Sequence, residues 1–348
     1  MLEGVLVLTP TRERGLQVLS LIQELAQFTD ISCCQADGEL SSKVQEAALR
    51  SKPIILLQKA FNDQLPNSMF VDFKDLDVLI LDEADRLLEV GFSPKIRKQV
   101  CLGPKRRQTM VFSATMTTKL DELVEMSLTN PVRLSANPSA IRPATLTEEV
   151  VRIHQMHEVN REAVLLALCS KSFTSKVIIF SGTKVAAHRL YIIFGLVGLK
   201  AAELHANILQ GELDEHFALE RKVDFLIATE LLVCGIDMPV AKAVINYDCP
   251  SQLTSYVHRV SRIARAGREG HAVTFVTDND RSCLKAIAKR VGSKLKSRTV
   301  AQKSISNWSQ IIEQMEDKVS IILQEEREEQ ALRKARMEAT MVFITAIF

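Results

Sequence analysis

The chain has 348 residues, 47% of them hydrophobic and 25% charged, which is ordinary for a globular protein with two domains and excludes a disordered or fibrous one. With 44 basic and 42 acidic residues the net charge is only +2, so any binding of nucleic acid must depend on local patches. Glycine is scarce at 13 residues, about half of the usual share of roughly 7%, which indicates altered glycine-dependent loops.

The cysteines and the apolar runs indicate the redox compartment and whether the chain spans a membrane. Seven cysteines follow no paired spacing and form no C-x-x-C motif, which predicts reduced thiols in the cytosol or nucleus. No apolar run approaches the ~18 residues that a membrane span requires, so we expect no membrane partner.

Short apolar runs alternate with amphipathic segments, a pattern that predicts parallel sheets flanked by helices. In the first half we predict strands at 5–8, 53–57, 76–81, 109–112 and 131–134, and helices at 13–27, 94–101 and 117–127. In the second half we predict strands at 149–154, 176–180, 200–204, 223–228, 241–246 and 270–276, and helices at 160–170, 184–197 and 253–260. A polar, proline-bearing stretch at 137–147 is the predicted linker between domains 1–136 and 148–300.

Beyond the second domain, residues 301–340 are predicted to form a charged helical extension. Apolar residues at helical spacing, among them Ile312 and Val319, predict that one face packs on the second domain. The charged end is either a solvated helix or a segment that binds a partner. Residues 341–348 are apolar and too short to cross a bilayer; they are predicted to be a frayed or non-native end, and no function is assigned to them.

The acidic tetrad Asp82-Glu83-Ala84-Asp85 follows the strand predicted at 76–81. Carboxylates at the carboxyl end of a parallel strand lie in the crevice where open α/β sheets bind ligands. Such carboxylates hold Mg²⁺ and polarise water in nucleotide hydrolysis. The alternative is that Asp82 and Glu83 only begin the next helix, where acids complement the helix dipole.

Three further motifs accompany the tetrad. Pro10-Thr11-Arg12-Glu13 and Ser113-Ala114-Thr115 each follow an apolar run, and the segment 258–268 holds four arginines and a histidine. In order and spacing, these motifs resemble those of the DEAD-box RNA helicases, from the first strand to about Lys303. The C-terminal tail and the stretches 45–50 and 130–133 are most similar to the nucleolar branch that works on the large ribosomal subunit.

The resemblance implies a fold and a set of catalytic residues. The fold is α/β, with two RecA-like lobes built on parallel sheets, the first lobe incomplete, plus the C-terminal helical extension. The implied catalytic residues are Asp82, Glu83, Asp85, His258, Arg262 and Arg265, with Ser113 and Thr115 as coupling residues.

Each of these residues has an implied role in ATP hydrolysis. Asp82 and Glu83 would serve Mg²⁺ and the attacking water, while Arg262 and Arg265 would reach the γ-phosphate as arginine fingers. Asp85 would couple to Ser113 and Thr115, and His258 would connect the basic motif to the tetrad. Asp237 would bind the ribose hydroxyl. A basic segment this dense is alternatively an RNA patch or a solvated helix start.

RNA is the implied substrate, contacted through its backbone rather than its bases. The residues that match the RNA motifs of the family are Thr11, Arg12, Gly38, Thr183, Lys184, Thr229 and Gly235. For Thr183 the alternative is a plain helix cap.

Several motifs depart from the pattern of the family. No G-x-x-x-x-G-K-[ST] occurs, so the P-loop that holds the β- and γ-phosphates is absent, and binding of ATP and Mg²⁺ is expected to be weak or lost. Because the P-loop strand is central in a RecA-like sheet, we expect the first lobe on its own to be unstable or rearranged. Glu39 and Cys234 replace a glycine and an arginine. Ser261 stands where a glycine turns the backbone, and is expected to misaim the arginine fingers.

Two functions stay open. The first is an ATP-dependent RNA helicase of ribosome biogenesis in the nucleus or nucleolus, with the P-loop encoded upstream and with pre-ribosomal proteins as further partners. The second is a catalytically dead remnant of a helicase gene copy that binds RNA or protein. An oligomer is not expected in either case.

Overall fold

The computed structural model describes residues 4–36, 49–50, 53–59, 73–89, 93–115, 118–134, 145–153, 160–204, 223–229, 241–263, 268–291 and 295–347. The chain divides into two compact units, residues 1–141 with 232–238, and residues 142–231 with 239–348. Every described strand pair is parallel, which confirms the predicted α/β class.

The first unit is built on a sheet whose described strands have the order β2-β3-β1-β4-β5. The strands are β1 (Gly4–Thr9), β2 (Cys33–Ala36), β3 (Ile55–Lys59), β4 (Leu76–Leu81) and β5 (Gln108–Val111). The helices are α1 (Arg12–Ala26), α2 (Ala84–Glu89), α3 (Ser93–Leu102) and α4 (Thr118–Ser127). Leucines of β1, β3 and β4 are almost fully buried, so the core follows from the apolar runs of the sequence.

The second unit is built on a longer sheet with the described order β12-β6-β11-β10-β7-β9-β8. The strands are β6 (Leu146–Arg152), β7 (Val177–Ser181), β8 (Ala201–Leu204), β9 (Phe225–Thr229), β10 (Ala243–Asn246), β11 (Gly270–Val276) and β12 (Lys296–Ser297). The helices are α5 (Arg161–Lys171), α6 (Lys184–Leu196), α7 (Leu253–Val260), α8 (Arg281–Val291) and α9 (Gln302–Ile347). All five residues of β7 are buried, as expected for a central parallel strand.

One of the sequence predictions is wrong. Residues 131–134 form no strand: Asn130 has a left-handed φ of 50°, and Val132 and Leu134 beyond it are 81% and 92% exposed. In the apolar tail the backbone of α9 is helical to Ile347. Residues 302–347 contain neither glycine nor proline, so nothing in this sequence breaks the helix.

Other elements differ in extent or were not predicted. Strand β6 begins at Leu146, inside the stretch expected to be the linker, and residues 135–144 lie outside the described part of the chain. Strand β2 and helix α8 have no counterpart in the predictions, because both mix polar residues into short apolar patterns. Within the described residues, no helix combines the length and apolar character that a membrane span needs.

Helix α9 packs on α5 and α6 of the second unit with the face that its apolar spacing predicts. Val319 is fully buried in the core of this unit, and Trp308, Ile312 and Leu323 pack against the same core. Burial of side chains of this size stabilises a helix by about 1.5–3 kcal/mol each when complete.

Two neighbouring cations on α6 add ion pairs between α9 and the rest of the unit. Arg189 binds Glu162 of α5 at 2.7 Å and Glu316 of α9 at 2.8 Å. His188 Nδ1 lies 3.0 Å from the carboxylate of Glu203, and its Nε2 is bonded to Glu326 of α9. The hydrogen bond to Glu203, reinforced by the one to Glu326 and opposed by burial, raises the pKa of His188 from 6.5 to about 9.

We predict that α9 docks less stably as pH rises. Because the pKa of His188 is higher in the folded protein than its ordinary value of 6.5, its stabilisation is complete below pH 6.5 and is lost as pH rises through about 9. Trp308 is the single tryptophan, so its fluorescence during thermal unfolding reports on the second unit. His188→Gln should flatten the dependence on pH.

Arg189→Gln is the matched control for this experiment. The guanidinium group stays charged throughout the range, so its loss should lower stability by a similar amount at every pH. A wild-type protein with the same stability at pH 6.5 and pH 9.5 would contradict the prediction.

Candidate functional site

Parallel pairing places the acidic tetrad at the carboxyl edge of the first sheet, directly after β4. The Asp82 N–H donates to the carbonyl of Leu8 in β1 at 3.0 Å, which fixes the turn beside the neighbouring strand. Arg14 of α1 donates from Nε to Oδ2 of Asp82 at 2.7 Å, and the same nitrogen lies 3.9 Å from Oε1 of Glu83. The sequence analysis missed Arg14, since no motif of the resemblance includes it.

Glu83 adopts a left-handed conformation with a φ of 48°. Its N–H donates to Oδ1 of Asp82 at 3.1 Å. A residue other than glycine in this conformation costs on the order of 1–3 kcal/mol and is found mostly at functional sites. The Asp82 carboxylate thus binds Arg14 and the Glu83 N–H, which goes beyond the simple role of an acid at a helix start.

Asp85 is joined to the end of β5, as the resemblance implies. Its carboxylate is 1% exposed, and Oδ2 accepts from both the N–H of Thr115 at 2.9 Å and the Thr115 hydroxyl at 2.7 Å. Ser113 Oγ donates to the Thr115 carbonyl at 2.8 Å. The structure therefore brings together Asp85, Ser113 and Thr115.

The half-buried carboxylates of Asp82 and Glu83 fit Mg²⁺ only in part. Mg²⁺ in nucleotide sites takes one or two carboxylates and completes its shell with water and phosphate oxygens. Asp82 and Glu83 are of the right type, but Arg14 already neutralises Oδ2 of Asp82. Among the described residues, no group of three or more His, Cys, Asp or Glu side chains could hold a metal ion.

Thr11 and Arg12 lie where β1 leads into α1. The Thr11 hydroxyl caps the helix by accepting from the N–H of Arg14 at 3.2 Å, and the Arg12 carbonyl accepts from Gln35 at 3.1 Å. Both side chains are half-buried. A capping hydroxyl keeps its own proton for donation, so the cap and a phosphate contact are compatible for Thr11.

In the second unit, the candidate RNA residues lie at the carboxyl edge of β7 and β9. Ser181 and Thr229 are partners in the parallel register, so the loop that follows β7 begins beside Thr229. Thr183 accepts from the N–H of Ala186 at 3.1 Å and caps α6, while Thr183 and Lys184 are both exposed. The cap interpretation of Thr183 is thus observed, and its hydroxyl proton stays available for a phosphate.

The described part of the basic motif begins on α7 and continues into the turn after it, to Ile263. His258 and Arg259 are buried, and Arg262 is half-buried. Ser261 has φ −63° and ψ −10°, ordinary right-handed values, and its hydroxyl donates to the His258 carbonyl at 2.7 Å. In this conformation position 261 does not require glycine.

Four of the predicted site residues lie outside the described part of the chain. They are Gly38, Gly235, Asp237 and Arg265.

Two parallel α/β units, one with an acidic tetrad and one with exposed hydroxyl and lysine side chains, each at the carboxyl edge of its sheet, have the architecture of two-lobed, RecA-like proteins. Family models agree: residues 2–123 match "DEAD/DEAH box helicase", and residues 158–267 match "Helicase conserved C-terminal domain". The chain belongs to the DEAD-box RNA helicase family.

Curated relatives support this membership. The chain is 61% identical over 340 residues to "DEAD-box ATP-dependent RNA helicase 28" of Oryza sativa subsp. japonica, a match covering 97% of this chain and 42% of the relative. It is 42% identical over 336 residues to "Probable ATP-dependent RNA helicase ddx27" of Dictyostelium discoideum, covering 95% of this chain and 43% of the relative. The chain therefore spans less than half the length of these relatives.

Solved structures confirm the RecA-like helicase fold. S. cerevisiae Dbp5 bound to RNA and ADP BeF3 matches with a TM-score of 0.72 at 24% identity, over 91% of this chain and 81% of Dbp5. The DEAD-box helicase Mss116 bound to ssRNA and UDP-BeF matches with a TM-score of 0.71 at 21% identity, over 88% of this chain and 66% of Mss116. At these identities the likeness concerns the fold alone.

We predict that the Asp85–Thr115 bonds hold the end of β5. Thr115→Val should lower the free energy of unfolding of the first unit by about 1–3 kcal/mol, because a buried carboxylate loses a hydroxyl donor. Hydrogen exchange of the amides at 82–88, followed by mass spectrometry, should speed up accordingly.

Ser113→Ala is the matched control for Thr115→Val. The Ser113 side chain is exposed, so water can replace its bond and the change should stay within about 0.5 kcal/mol. Equal exchange rates in Thr115→Val and the wild type would contradict the prediction.

Proposed function

We propose that residues 1–348 act as an RNA-binding protein of the DEAD-box family that hydrolyses ATP weakly or not at all, in the nucleolus, during assembly of the large ribosomal subunit. Pre-ribosomal proteins are the further partners of this proposal. The observation that carries it is the contrast between the two sheet edges. The second unit presents RNA-type side chains to solvent, whereas in the first unit Arg14 binds the carboxylate that Mg²⁺ would need.

The RNA half of the proposal is supported by position and exposure. Thr183 and Lys184 follow β7 at the start of α6, and Thr229 ends the adjacent strand β9, so all three lie at one edge, where a hydroxyl or an ammonium group can reach phosphate oxygens. Recognition of this kind reads the backbone, so no sequence preference is expected. The setting in the nucleolus is supported by the resemblance of the tail and of the stretches 45–50 and 130–133 to that branch of the family.

The second part of the proposal, that residues 1–348 hydrolyse ATP weakly or not at all, is supported by the requirements of phosphoryl transfer. Catalysis of this reaction depends on positioning the phosphates and on electrostatic stabilisation, with backbone N–H groups and a lysine of the P-loop as the cradle. Residues 1–348 contain no such motif. A carboxylate held by Arg14 at 2.7 Å offers a divalent ion an already neutralised ligand.

The second candidate is an active ATP-dependent helicase that needs a phosphate loop from outside these 348 residues. The bonds between Asp85 and Thr115 favour it, because the implied coupling between the tetrad and β5 is intact. The two candidates differ in their prediction for nucleotide binding by residues 1–348 alone.

We predict that the 348-residue protein does not bind ATP saturably at micromolar concentration. Titration with a fluorescent ATP analogue and Mg²⁺ should give only a linear, non-specific signal, because no P-loop holds the β- and γ-phosphates. A saturable micromolar isotherm that Asp82→Asn weakens would overturn the proposal in favour of an active helicase.

We predict salt-sensitive binding of single-stranded RNA in which Lys184 neutralises a phosphate. Lys184→Ala should weaken binding at low salt and make the slope of log Kobs against log salt concentration shallower by about 0.7. Fluorescence anisotropy with a labelled oligouridine measures both quantities.

Lys171→Ala is the control for Lys184→Ala. Lys171 is also exposed, but it ends α5, whose first residue, Arg161, lies at the carboxyl edge. An 11-residue helix is about 16 Å long, so Lys171 is far from this edge. Equal effects of the two substitutions would show that Lys184 is not a specific contact.

A further inference from the structure

Asp248, two residues beyond the end of β10, binds the start of the RNA-type loop through its carboxylate. Oδ2 accepts from the N–H of Gly182 at 2.7 Å and lies 3.3 Å from the hydroxyl of Ser181. A Cβ added at Gly182 would stand 3.4 Å from the Asp248 side chain, an ordinary van der Waals distance, so this approach does not by itself require glycine. The sequence analysis did not single out Asp248.

The main chain of Asp248 binds the helix that carries the basic motif. Its carbonyl accepts from Nη1 of Arg259 at 2.8 Å. Arg259 is only 4% exposed, its Nη1 also lies 3.3 Å from Oδ1 of Asn246, and its guanidinium group lies 5.1 Å from the ring centroid of Phe180. Arg259 is therefore a buried anchor of α7 rather than a group directed at solvent.

The second oxygen of the Asp248 carboxylate is held from the other side. Arg161, the first residue of α5, donates from Nη2 toward Oδ1 at 3.0 Å. The same guanidinium group lies 4.6 Å from the ring centroid of Tyr247 and donates to the Tyr247 carbonyl. One oxygen of the Asp248 carboxylate thus binds Arg161 of α5 and the other binds the loop, so the orientation of the carboxylate is fixed.

We propose that Asp248 is a positioning residue that fixes the loop Gly182-Thr183-Lys184 relative to α7 and the half-buried Arg262 after it. The inference rests on the proposed RNA-binding function, which it deepens. One residue joins the two segments, through its carboxylate on the loop side and its carbonyl on the Arg259 side. An RNA phosphate that orders the loop would, through this residue, also order the segment that carries Arg262.

A carboxylate is suited to this task because both of its oxygens accept hydrogen bonds and its charge is shared by Arg161 and a backbone N–H. Hydrogen bonds to charged groups contribute about twice as much as neutral ones. Asp248→Asn keeps the size of the side chain but removes the charge and one acceptor. The variant therefore tests the charge-dependent part of the link.

The first experiment is a double-mutant cycle on RNA affinity. Asp248→Asn should weaken binding of a labelled oligouridine roughly 3- to 10-fold. In the Lys184→Ala background the same change should cost less than about 2-fold, because Asp248 acts through the loop that presents Lys184. Fully additive losses would overturn the proposal, since a general structural defect does not depend on Lys184.

Glu149→Gln is the control variant for the cycle. Its carboxylate also binds an arginine, Arg298, at 2.8 Å, but it lies on β6 and contacts neither the loop nor α7 in any described bond. Glu149→Gln should leave RNA affinity unchanged. Unfolding followed by Trp308 fluorescence confirms that each variant is folded.

The second experiment needs no RNA and separates this inference from the proposed function. Hydrogen exchange of Asp248→Asn should be faster both at 181–184 and in α7, while Glu149→Gln should leave both segments as in the wild type. Faster exchange in the loop alone would overturn the link to α7. A wild-type protein that binds no RNA at all would overturn the proposed function, and the exchange comparison would still decide the role of Asp248.

Discussion

The parallel alignment of strands is the constraint on which the rest of this structure depends. Because all described pairs are parallel, the carboxyl ends of neighbouring strands meet at one edge of the sheet. The loops that begin there are no longer paired within the sheet. In the second unit the order β10-β7-β9 places Asp248, Gly182 and Thr229 side by side, although they are far apart in sequence. The side chains of these strands are mainly apolar and buried on both faces of the sheet, so the polar side chains of the site lie at the ends of the strands.

The loops at the carboxyl edge are held more firmly in the second unit than in the first. In the second unit β7 lies between β10 and β9 with every residue buried, so the loop after it begins from a rigid strand. In the first unit, β5 is the edge strand of the described sheet, its residues are at most half-buried, and Phe112 just beyond it is 53% exposed. The Asp85 carboxylate therefore has a larger share in holding the segment 113–115 than any apolar contact of β5.

The sequence was a good guide wherever an apolar run by itself decides the structure. Strands 76–81 and 270–276 and helix 253–260 were predicted to the residue, because a buried parallel strand leaves a continuous apolar run and a helix buried on one face leaves a periodic one. The run at 131–134 has the same signal but forms no strand, since a strand also needs a neighbour to pair with. Contacts such as Arg14 with Asp82, 68 positions apart, leave no local pattern, and neither does the link from Asp248 to Gly182. Motif resemblance supplied Asp85 and Thr115, because family motifs record tertiary contacts that periodicity cannot.

The charge of Arg14 bears directly on what the acidic tetrad can bind. A guanidinium group does not lose its proton at any physiological pH, so its pairing with Asp82 persists where a histidine would release the carboxylate. A divalent ion must therefore displace a hydrogen bond of 2.7 Å to a carboxylate that is 16% exposed, and must also lose part of its own hydration. In a nucleotide site, phosphate oxygens offset that cost, both by binding the ion and by accepting the displaced guanidinium. If, as proposed, residues 1–348 bind no nucleotide, nothing offsets that cost and Asp82 remains paired with Arg14.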